Sequence, residues 1–264
     1  MLPIRFINLD RAAERRAFME RQGERHGLAM ERVRAVDGGE IDPGELARLA
    51  ASWQRPMSAG EVACFLSHKG QWERVVREDA PAVILEDDAV FSPRLPAVLA
   101  AASALSDIEV LNLEDYGKRR FLRRGSERPL ADGVSAVRCL RDKAGSAAYV
   151  VWPQGAQRLL SMAGDRAGPA DAMLHGAGLL AYVCEPAGAV QLSVLEDRGL
   201  SGEIDGRSHL QAPRGRQRTT TVQRLRRFGA QVALLPHHLG RLAGTDYRRI
   251  RFEPSDFSEV HKAS

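Results

Sequence analysis

The sequence predicts an α/β fold in which helices flank a sheet, and three observations support this. Short apolar runs of strand length alternate with longer segments of helical periodicity along most of the chain. The clearest run, at residues 82–85, leads directly into acids, as a buried strand does when it ends at a ligand crevice. With 264 residues, 44% of them hydrophobic, the chain is long enough for one α/β domain with an appendage.

Three carboxylates, Glu86, Asp87 and Asp88, follow this run at its carboxyl end. Because side chains alternate along a strand, Glu86 and Asp88 are expected on one side and Asp87 on the other. Two converging carboxylates need a divalent cation or a raised pKa to coexist, so the acids predict a metal that bridges a phosphorylated ligand. The alternative is an acidic strand exit that caps a loop or pairs with arginines, and the motif alone does not choose between them.

The N-terminal part predicts two further strands with acids near their ends. Residues 4–9 form the first strand, and Asp10 is placed to cap the helix that follows toward Gly23 or Gly27. This turn has neither a G-x-G-x-x-G nor a Walker pattern, which argues against a dinucleotide-binding or P-loop enzyme. Residues 30–36 form the second strand, and Asp37 after it fits a site acid and an ordinary Asp-Gly turn equally well.

A long helix precedes the acidic strand. After a short helical segment at residues 46–50, Ser58 and Glu61 form a capping box, and apolar spacing continues the helix to about residue 77. Ser67 and His68 lie on this helix. A single histidine in such a position is more often packed or solvated than functional, and the residues alone favour that interpretation.

The rest of the chain continues the alternation. Helices are predicted at residues 96–105, 153–162 and 169–174, and strands at 109–113, 134–140, 145–152 and 180–184. The strand at 109–113 ends in two more acids, Glu114 and Asp115. Residues 118–128 are basic, contain glycine and lack periodicity, which predicts a mobile loop. That loop either closes over an anionic substrate or presents solvated arginines.

Residues 206–264 predict a basic, partly helical extension, distinct from a domain formed by residues 1–205. No acid occurs between Gly206 and Thr245, whereas arginines accumulate there. The apolar spacing after Thr221 predicts a basic amphipathic helix that stops at Pro236. Such a helix can lie on an anionic membrane surface or pack on its own domain. Nucleic acid is an unlikely partner because few aromatic residues accompany the arginines.

Cysteine usage and the N-terminus predict a cytoplasmic protein. The three cysteines are widely spaced and form no C-x-x-C pattern, so they predict neither a disulfide framework nor a zinc site. The N-terminus has charges where a signal peptide needs an apolar core, and no segment approaches the length of a membrane span. We therefore expect a protein that is neither exported nor integral to a membrane.

Several short blocks occur in a characteristic order between residues 4 and 191. They are Phe6-Ile7-Asn8-Leu9-Asp10-Arg11 with Glu14-Arg15-Arg16, Arg34-Ala35-Val36-Asp37-Gly38, the run from Ser58 to His68 with Trp72-Glu73, Ile84-Leu85-Glu86-Asp87-Asp88, Gly145-Ser146-Ala147-Ala148-Tyr149 and Pro169-Ala170-Asp171. In order and spacing they resemble glycosyltransferase family 25, the bacterial lipooligosaccharide glycosyltransferases, whose animal relatives glycosylate collagen. Beyond Gln191 the resemblance does not extend.

The resemblance implies a GT-A-like, Rossmann-type domain, a nucleotide-sugar donor and a divalent metal, Mn²⁺ or Mg²⁺, held by Asp88 and Glu86. The implied reaction is inverting transfer of a hexose, most often galactose from UDP-galactose, onto a lipooligosaccharide or another glycan or glycolipid acceptor. The metal would neutralise charge on the departing diphosphate, and a carboxylate would take the proton from the attacking hydroxyl. The implied place of work is the cytosolic face of the inner membrane, with the basic tail as a peripheral anchor.

The resemblance also implies roles for individual residues. By motif position, Asp171 is the expected catalytic base, with Asp115 as its rival. Glu86 would approach the ribose of the donor rather than the metal ion, by analogy with other GT-A enzymes. The expected donor contacts are Asn8, Asp10, Arg11, Asp37, Ser67, His68, Glu86 and Asp87.

Two other functions compete with this interpretation. A phosphatase that uses strand-end aspartates would need an early D-x-D-x-T pattern, which the chain lacks. A nucleic-acid- or membrane-binding protein would rely on the arginine-rich tail and retain a donor-binding but inactive domain. The salt dependence of nucleic-acid binding and the binding of anionic vesicles separate these alternatives.

Overall fold

The computed structural model describes residues 2–142, 145–200, 204 and 244–258. The strands are β1 (Ile4–Asn8), β2 (Met30–Arg34), β3 (Ala82–Glu86), β4 (Ala89–Phe91), β5 (Val110–Asn112), β6 (Arg120–Arg123), β7 (Arg128–Ala131), β8 (Val134–Arg141), β9 (Ala148–Val151), β10 (Ala181–Glu185), β11 (Ala189–Gln191) and β12 (Thr245–Arg248). The helices are α1 (Ala13–His26), α2 (Pro43–Ala50), α3 (Ala59–Glu78), α4 (Leu95–Ala102), α5 (Pro153–Ala163), α6 (Ala170–Gly176), α7 (Leu192–Asp197) and α8 (Ser255–Ser258).

Ten of the strands form one mixed sheet. Its order is β12-β6-β8-β10-β5-β9-β3-β1-β2, with β7 paired to β8, and β4 pairs separately with β11. β1 is parallel to both β2 and β3, so the carboxyl ends of these three strands meet at one edge. β9 runs antiparallel between β3 and β5, which brings the start of β9 to that same edge.

Two hydrophobic cores cover the two faces of the sheet. Val83 and Leu85 of β3 pack with Phe18 of α1 and with α4 in one core. Ile84 points the other way and packs with Phe65 of α3 and with α5 in the other. All five side chains are fully buried, and a buried residue of this size contributes about 1.5–3 kcal/mol. The carboxyl end of β3 is therefore held rigidly from both sides.

The predicted α/β class is confirmed, with a mixed sheet flanked by helices, and it is consistent with the GT-A-like organisation that the resemblance implies. The predicted capping box is also present, since Ser58 Oγ accepts from the Glu61 amide and the Glu61 carboxylate accepts from the Ser58 amide. The acids at 86–88 follow β3 directly, as predicted.

The expected cap of α1 is wrong. Ala12 occupies the N-cap position and no side chain caps the helix. The amide of Ala12 donates to Leu9 O in a turn that delays the start of the helix. The Asp10 carboxylate instead accepts hydrogen bonds from Arg32 and Arg34 of β2, at 2.5 and 2.7 Å.

The expectation of a mobile loop at residues 118–128 is also wrong. This stretch contains β6, which pairs with β8 and β12, and it ends at the first residue of β7. Phe121 and Leu122 are buried, and the buried guanidinium of Arg120 lies 2.8 Å from the Asp142 carboxylate. The basic composition concealed a strand because its partners are distant in sequence.

The C-terminal part of the chain contributes to the same sheet. β12 pairs antiparallel with β6, and Phe257 of α8 is fully buried in the first core. The division of the chain at residues 205 and 206 stays a prediction, but residues 245–248 belong to the sheet wherever the boundary lies. The predicted amphipathic helix after Thr221 lies outside the described residues.

None of the helices in the described part of the chain combines the length and the apolar character that a membrane span requires.

Candidate active site

A cleft opens at the edge where β1, β2 and β3 end. Its walls come from residues just after these strands and from the first half of α3, including Leu9, Val36 and Gly60. Glu86, Asp87 and Asp88 form its acidic part, with Arg11, Arg15, Cys64, Ser67 and His68 around them. Most of the predicted donor and metal residues therefore lie together in one place.

Glu86 is held by side chains from three elements. Ser146, just before β9, donates to its Oε1 at 2.7 Å, and His68 Nε2 lies 3.3 Å from the same oxygen. The His68 Nε2 contact is within ion-pair distance but lacks hydrogen-bond geometry. Burial acts to raise the Glu86 pKa, but His68, Ser146 and Arg15 outweigh it and lower the pKa overall. Glu86 is therefore a carboxylate at neutral pH.

His68 is oriented by an aromatic pair beneath it. The hydroxyl of Tyr149 lies 2.9 Å from His68 Nδ1 and accepts a hydrogen bond from Trp72 Nε1, also at 2.9 Å. Tyr149 can donate its own proton to Nδ1, which leaves the ring proton on Nε2, the nitrogen nearer to Glu86. The histidine is thus a packed residue, as its isolated position suggested, and it is also part of the site.

Asp87 is fully engaged by polar partners. Its carboxylate accepts from Asn8 Nδ2 at 2.7 Å and from Arg15 NH1 at 3.0 Å. Asn8 in turn donates to Ala12 O and accepts from Arg32 Nε. Asn8 therefore ties the exit of β1 to the exit of β3, and Asp87 is held by the protein itself.

Asp88 has the least favourable environment of the three acids. It is 6% exposed, and among the described residues its Oδ1 has no hydrogen-bond partner and its nearest cation is Arg15, 3.6 Å from Oδ2. Burial, followed by the negative charge of Glu86, raises the pKa of Asp88 to about 7, although Arg15 opposes this. A buried carboxylate oxygen without a partner is costly, and it marks a place where a cation or donor group binds.

The expected alternation of the three acids ends with the strand. Glu86 is the last residue of β3, and residues 87 and 88 lie in a turn. Asp87 and Asp88 therefore both approach Arg15, while Glu86 faces His68 and Ser146. The acids pair with an arginine, as the alternative interpretation predicted, while metal binding at these acids stays a prediction.

Of three other predicted donor contacts, Arg11 lines the cleft, whereas Asp10 and Asp37 are not among its lining residues. Arg11 pairs with Asp37, and Asp37 Oδ1 also accepts from the Gly39 amide, so Asp37 makes an ordinary turn as well as an ion pair. Asp10 is exposed and bound to Arg32 and Arg34, and these hydrogen bonds lower its pKa.

Ser67 joins two elements of the cleft wall. Its hydroxyl donates to Ala63 O at 2.8 Å and accepts from the Val36 amide at 2.9 Å. The Val36 amide follows β2, so Ser67 fixes the end of that strand against α3. This contact holds the shape of the cleft.

The two candidate bases lie in different surroundings. Asp171, at the start of α6, is partly buried, and its carboxylate accepts from the Ala172 amide at 2.7 Å. Burial raises the pKa of Asp171, and the negative charge of Glu86 adds to this. Asp115 is buried and committed elsewhere, since it accepts from the Gly117 amide at 2.8 Å and from Arg198 NH2 at 2.5 Å. Asp171 is the more available proton acceptor.

The carboxylate oxygens at this site fit a hard divalent cation. Carboxylate oxygens suit Mg²⁺ and Mn²⁺, and Asp88 offers a buried oxygen that no group of the described residues satisfies. A second set of possible ligands, Cys64, His68 and Glu86, has its ligand atoms within 4.8 Å of one another. Burial raises the pKa of the Cys64 thiol well above its usual range, and a thiol suits softer metals than Mg²⁺ or Mn²⁺.

Sequence reasoning gave no role to several residues of the site. The position of Arg15 at the site could have been predicted, because the first helix follows β1 and one of its faces lies near the carboxyl ends of the strands. The position of Cys64 could have been predicted too, since it lies four residues before His68 and shares its helix face. The positions of Ser146 and Tyr149 could not, because only the antiparallel register of β9 against β3 brings them to Glu86 and His68.

Comparison with known proteins identifies the family to which the chain is similar. The model of "Glycosyltransferase family 25 (LPS biosynthesis protein)" matches residues 1–174. A "Glycosyltransferase 25 family member" of Drosophila pseudoobscura pseudoobscura is 37% identical over 171 residues, 59% of this chain and 26% of the relative. The human "Procollagen galactosyltransferase 2" is 28% identical over 166 residues, 58% of this chain and 26% of the relative.

The chain therefore spans about a quarter of the length of these curated relatives. Among solved structures, an inositol-1-phosphate CTP transferase from T. maritima is similar with a TM-score of 0.40 and 13% sequence identity, covering 72% of this chain and 89% of that one. The family match includes β1 to β3 and α3, which build the cleft, and it also includes Asp171. This chain belongs to glycosyltransferase family 25.

Proposed function

We propose that the chain is a metal-dependent glycosyltransferase that moves a hexose from a nucleotide sugar onto a glycan or glycolipid acceptor. The observation that carries this proposal is Asp88, which is buried beside the cleft with one oxygen unpartnered and its pKa raised to about 7. A buried carboxylate with a raised pKa is typical of a functional site, because a bound ligand can stabilise its charge. The family match supports transfer of a sugar as the chemistry, and the galactosyltransferase relatives make UDP-galactose the first donor to test.

Asp88, with Glu86 beside it, would hold Mn²⁺ or Mg²⁺. When bound, the ion would neutralise the charge that develops on the departing diphosphate. Arg15 holds the turn that carries both aspartates, through contacts of 3.0 Å to Asp87 and 3.6 Å to Asp88. Ser146 and His68 fix the carboxylate of Glu86, so it is already oriented before the donor arrives.

Asp171 is the proposed base. The acceptor hydroxyl oxygen would form a bond to the anomeric carbon while the bond from that carbon to the diphosphate breaks and its electron pair leaves with the diphosphate. The hydroxyl proton would pass to Asp171. A raised pKa makes Asp171 a better proton acceptor than an ordinary aspartate, provided that it is ionised at the working pH. Direct displacement of this kind inverts the anomeric centre.

The proposed place of work is the cytoplasmic face of a membrane that carries the acceptor. The support is the excess of arginine between residues 206 and 245, which would favour an anionic surface. Binding to vesicles with anionic lipid, and not to neutral vesicles, is the corresponding observation.

A donor screen tests the enzymatic proposal. The purified chain is titrated with UDP-, GDP- and CMP-sugars with and without Mn²⁺, and slow hydrolysis of each donor is followed. We expect Mn²⁺-dependent binding and hydrolysis of a UDP-hexose, and we expect Asp88→Asn to lower hydrolysis by about a hundredfold or more, because removing a metal ligand removes charge stabilisation in the transition state.

Asp79→Asn is the matched control, because it makes the same chemical change at an exposed residue at the end of α3. It should leave hydrolysis unchanged. Wild-type rates in Asp88→Asn, or equal rates without any divalent metal, would refute the metal-dependent mechanism.

A further inference from the structure

A second cavity lies beside Asp171 and is separate from the cleft at the ends of β1, β2 and β3. Its volume is about 480 Å³, and it is lined chiefly by Tyr116, Lys118, Arg119, Asp171, Tyr247 and Arg249. None of these residues lines the cleft at the ends of β1, β2 and β3. We call it the basic cavity.

The cations of the basic cavity are not neutralised by carboxylates in the described part of the chain. Lys118, Arg119 and Arg249 are exposed, and no carboxylate of the described residues forms an ion pair with them. Neighbouring arginines behave differently, since Arg124 pairs with Asp246 and Arg248 pairs with Glu185. The basic cavity therefore presents three uncompensated positive charges around one carboxylate, that of Asp171.

Aromatic rings complete the lining. The ring of Tyr247 is stacked on Phe121, with 4.4 Å between centroids, and the guanidinium of Arg119 lies 5.9 Å from the Tyr247 centroid. These contacts fix Tyr247 in place. Fixed aromatic rings with convergent polar groups are typical of a site for a small polar ligand, and the volume suits a sugar of one or two rings.

The loop that carries Lys118 and Arg119 is anchored from behind. The Asp115 carboxylate accepts from the Gly117 amide and pairs with Arg198, and Gly117 has a φ of 70°, which favours glycine. Both carboxylate oxygens of Asp115 are used in these contacts, so Asp115 positions the loop.

We propose that the basic cavity is the acceptor subsite, and that it selects a saccharide bearing a negative charge, as a phosphate ester or a carboxylate. This inference rests on the proposed function. The lone carboxylate among the lining residues is the proposed base, so a sugar held by the cations presents a hydroxyl to Asp171. A neutral sugar would leave the three cations unpaired.

The subsite combines residues from inside and outside the family match. Asp171 and the loop at 116–119 lie within residues 1–174, whereas Tyr247 and Arg249 come from β12 and the residue after it. One of the three cations that would contact the acceptor's charge, Arg249, thus depends on the pairing of β12 with β6, as does the ring of Tyr247.

The test is a binding titration that needs no turnover. Galactose 6-phosphate, galacturonate and methyl galactoside are titrated into the full chain by calorimetry at low ionic strength. We expect both anions to bind and the neutral glycoside to bind at least about tenfold more weakly, which is the effect of one charge-assisted contact. Arg249→Glu should weaken binding of both anions by about tenfold or more.

Arg123→Glu is the matched control, since Arg123 lies on β6, is exposed and does not line the basic cavity. It should leave anion affinity unchanged. Equal affinity for the neutral glycoside, or no effect of Arg249→Glu, would overturn the inference, as would a loss of donor affinity in Arg249→Glu without a loss of anion affinity. Anion binding without any donor hydrolysis would instead refute the proposed function and leave an anionic-sugar site in place.

Discussion

At the scale of single residues, Asp88 joins the proposed function to the stability of the protein. Its pKa is raised from 3.8 to about 7 by burial and then by Glu86. The folded protein therefore holds the proton of Asp88 at pH values where the unfolded chain has released it. Between these two pKa values, folding becomes less favourable as the pH rises, because the unfolded state binds fewer protons.

Asp88→Asn is expected to remove this dependence. The variant should match the wild type near about pH 3, where Asp88 is neutral in both states, and exceed its free energy of unfolding by about 2 kcal/mol or more at about pH 8. Urea denaturation across this range measures the difference, with Asp79→Asn as the control. Parallel pH profiles for wild type and Asp88→Asn would contradict the proposed cost of the Asp88 charge.

The acids could be placed from the sequence, but their partners could not. The apolar run at 82–85 located Glu86, Asp87 and Asp88 at a strand end, because a buried strand has a strong local signal. Strand alternation then failed for Asp87 and Asp88, since the chain turns directly after Glu86. Ser146 reaches Glu86 only through the register of β9, which no local pattern specifies.

At the scale of elements, the C-terminal strand shows why the sequence predicted a separate extension. β12 reads Thr-Asp-Tyr-Arg, which has little apolar character, and β6 reads Arg-Phe-Leu-Arg within a basic stretch. Considered alone, each sequence resembles a loop. β12 is a strand because it pairs with β6, and β6 is a strand because it pairs with β12 and β8. The helices α1, α3 and α5 were predicted because their apolar spacing is local, and the starting signals of α3 and α5 were correct as well, whereas the expected cap of α1 was wrong.

The same segment contributes to the core through Phe257. This side chain is fully buried and its ring lies 5.0 Å from that of Phe252. Phe257→Ala is expected to lower the free energy of unfolding by about 3–5 kcal/mol, because it removes a buried ring and leaves a cavity. Urea denaturation measures the change, and the exposed neighbour Ser258→Ala should shift stability by less than about 0.5 kcal/mol. Equal small effects would show that the C-terminal segment does not support the domain.

At the scale of the whole molecule, the cleft at the ends of β1, β2 and β3 joins elements that are far apart in sequence. Asn8 at the end of β1, Ser67 on α3 and Ser146 before β9 make hydrogen bonds with Asp87, Val36 and Glu86, respectively, at the cleft. A ligand that binds there contacts several parts of the fold together. Its binding energy should therefore appear as stability of the whole domain.

A thermal denaturation series tests this linkage. A UDP-hexose with Mn²⁺ at about a hundred times its Kd is expected to add about 2.7 kcal/mol to the free energy of unfolding and to raise Tm by several degrees. Neither component alone should produce the full effect. Asp88→Asn should lose the increase while keeping its own higher stability at neutral pH, and an undiminished increase in that variant would place the donor elsewhere.

The order of the sheet has a consequence for how relatives diverge. β3, β1 and β2, which carry the donor acids, lie at one end, while β6 and β12 lie at the other. Mutations at Tyr247 or Arg249 can accumulate in a lineage without disturbing Asn8, Glu86 or Asp88. In the proposed function, changes in one strand could therefore recruit new acceptors while the residues proposed to bind the nucleotide sugar at the opposite end stay unchanged.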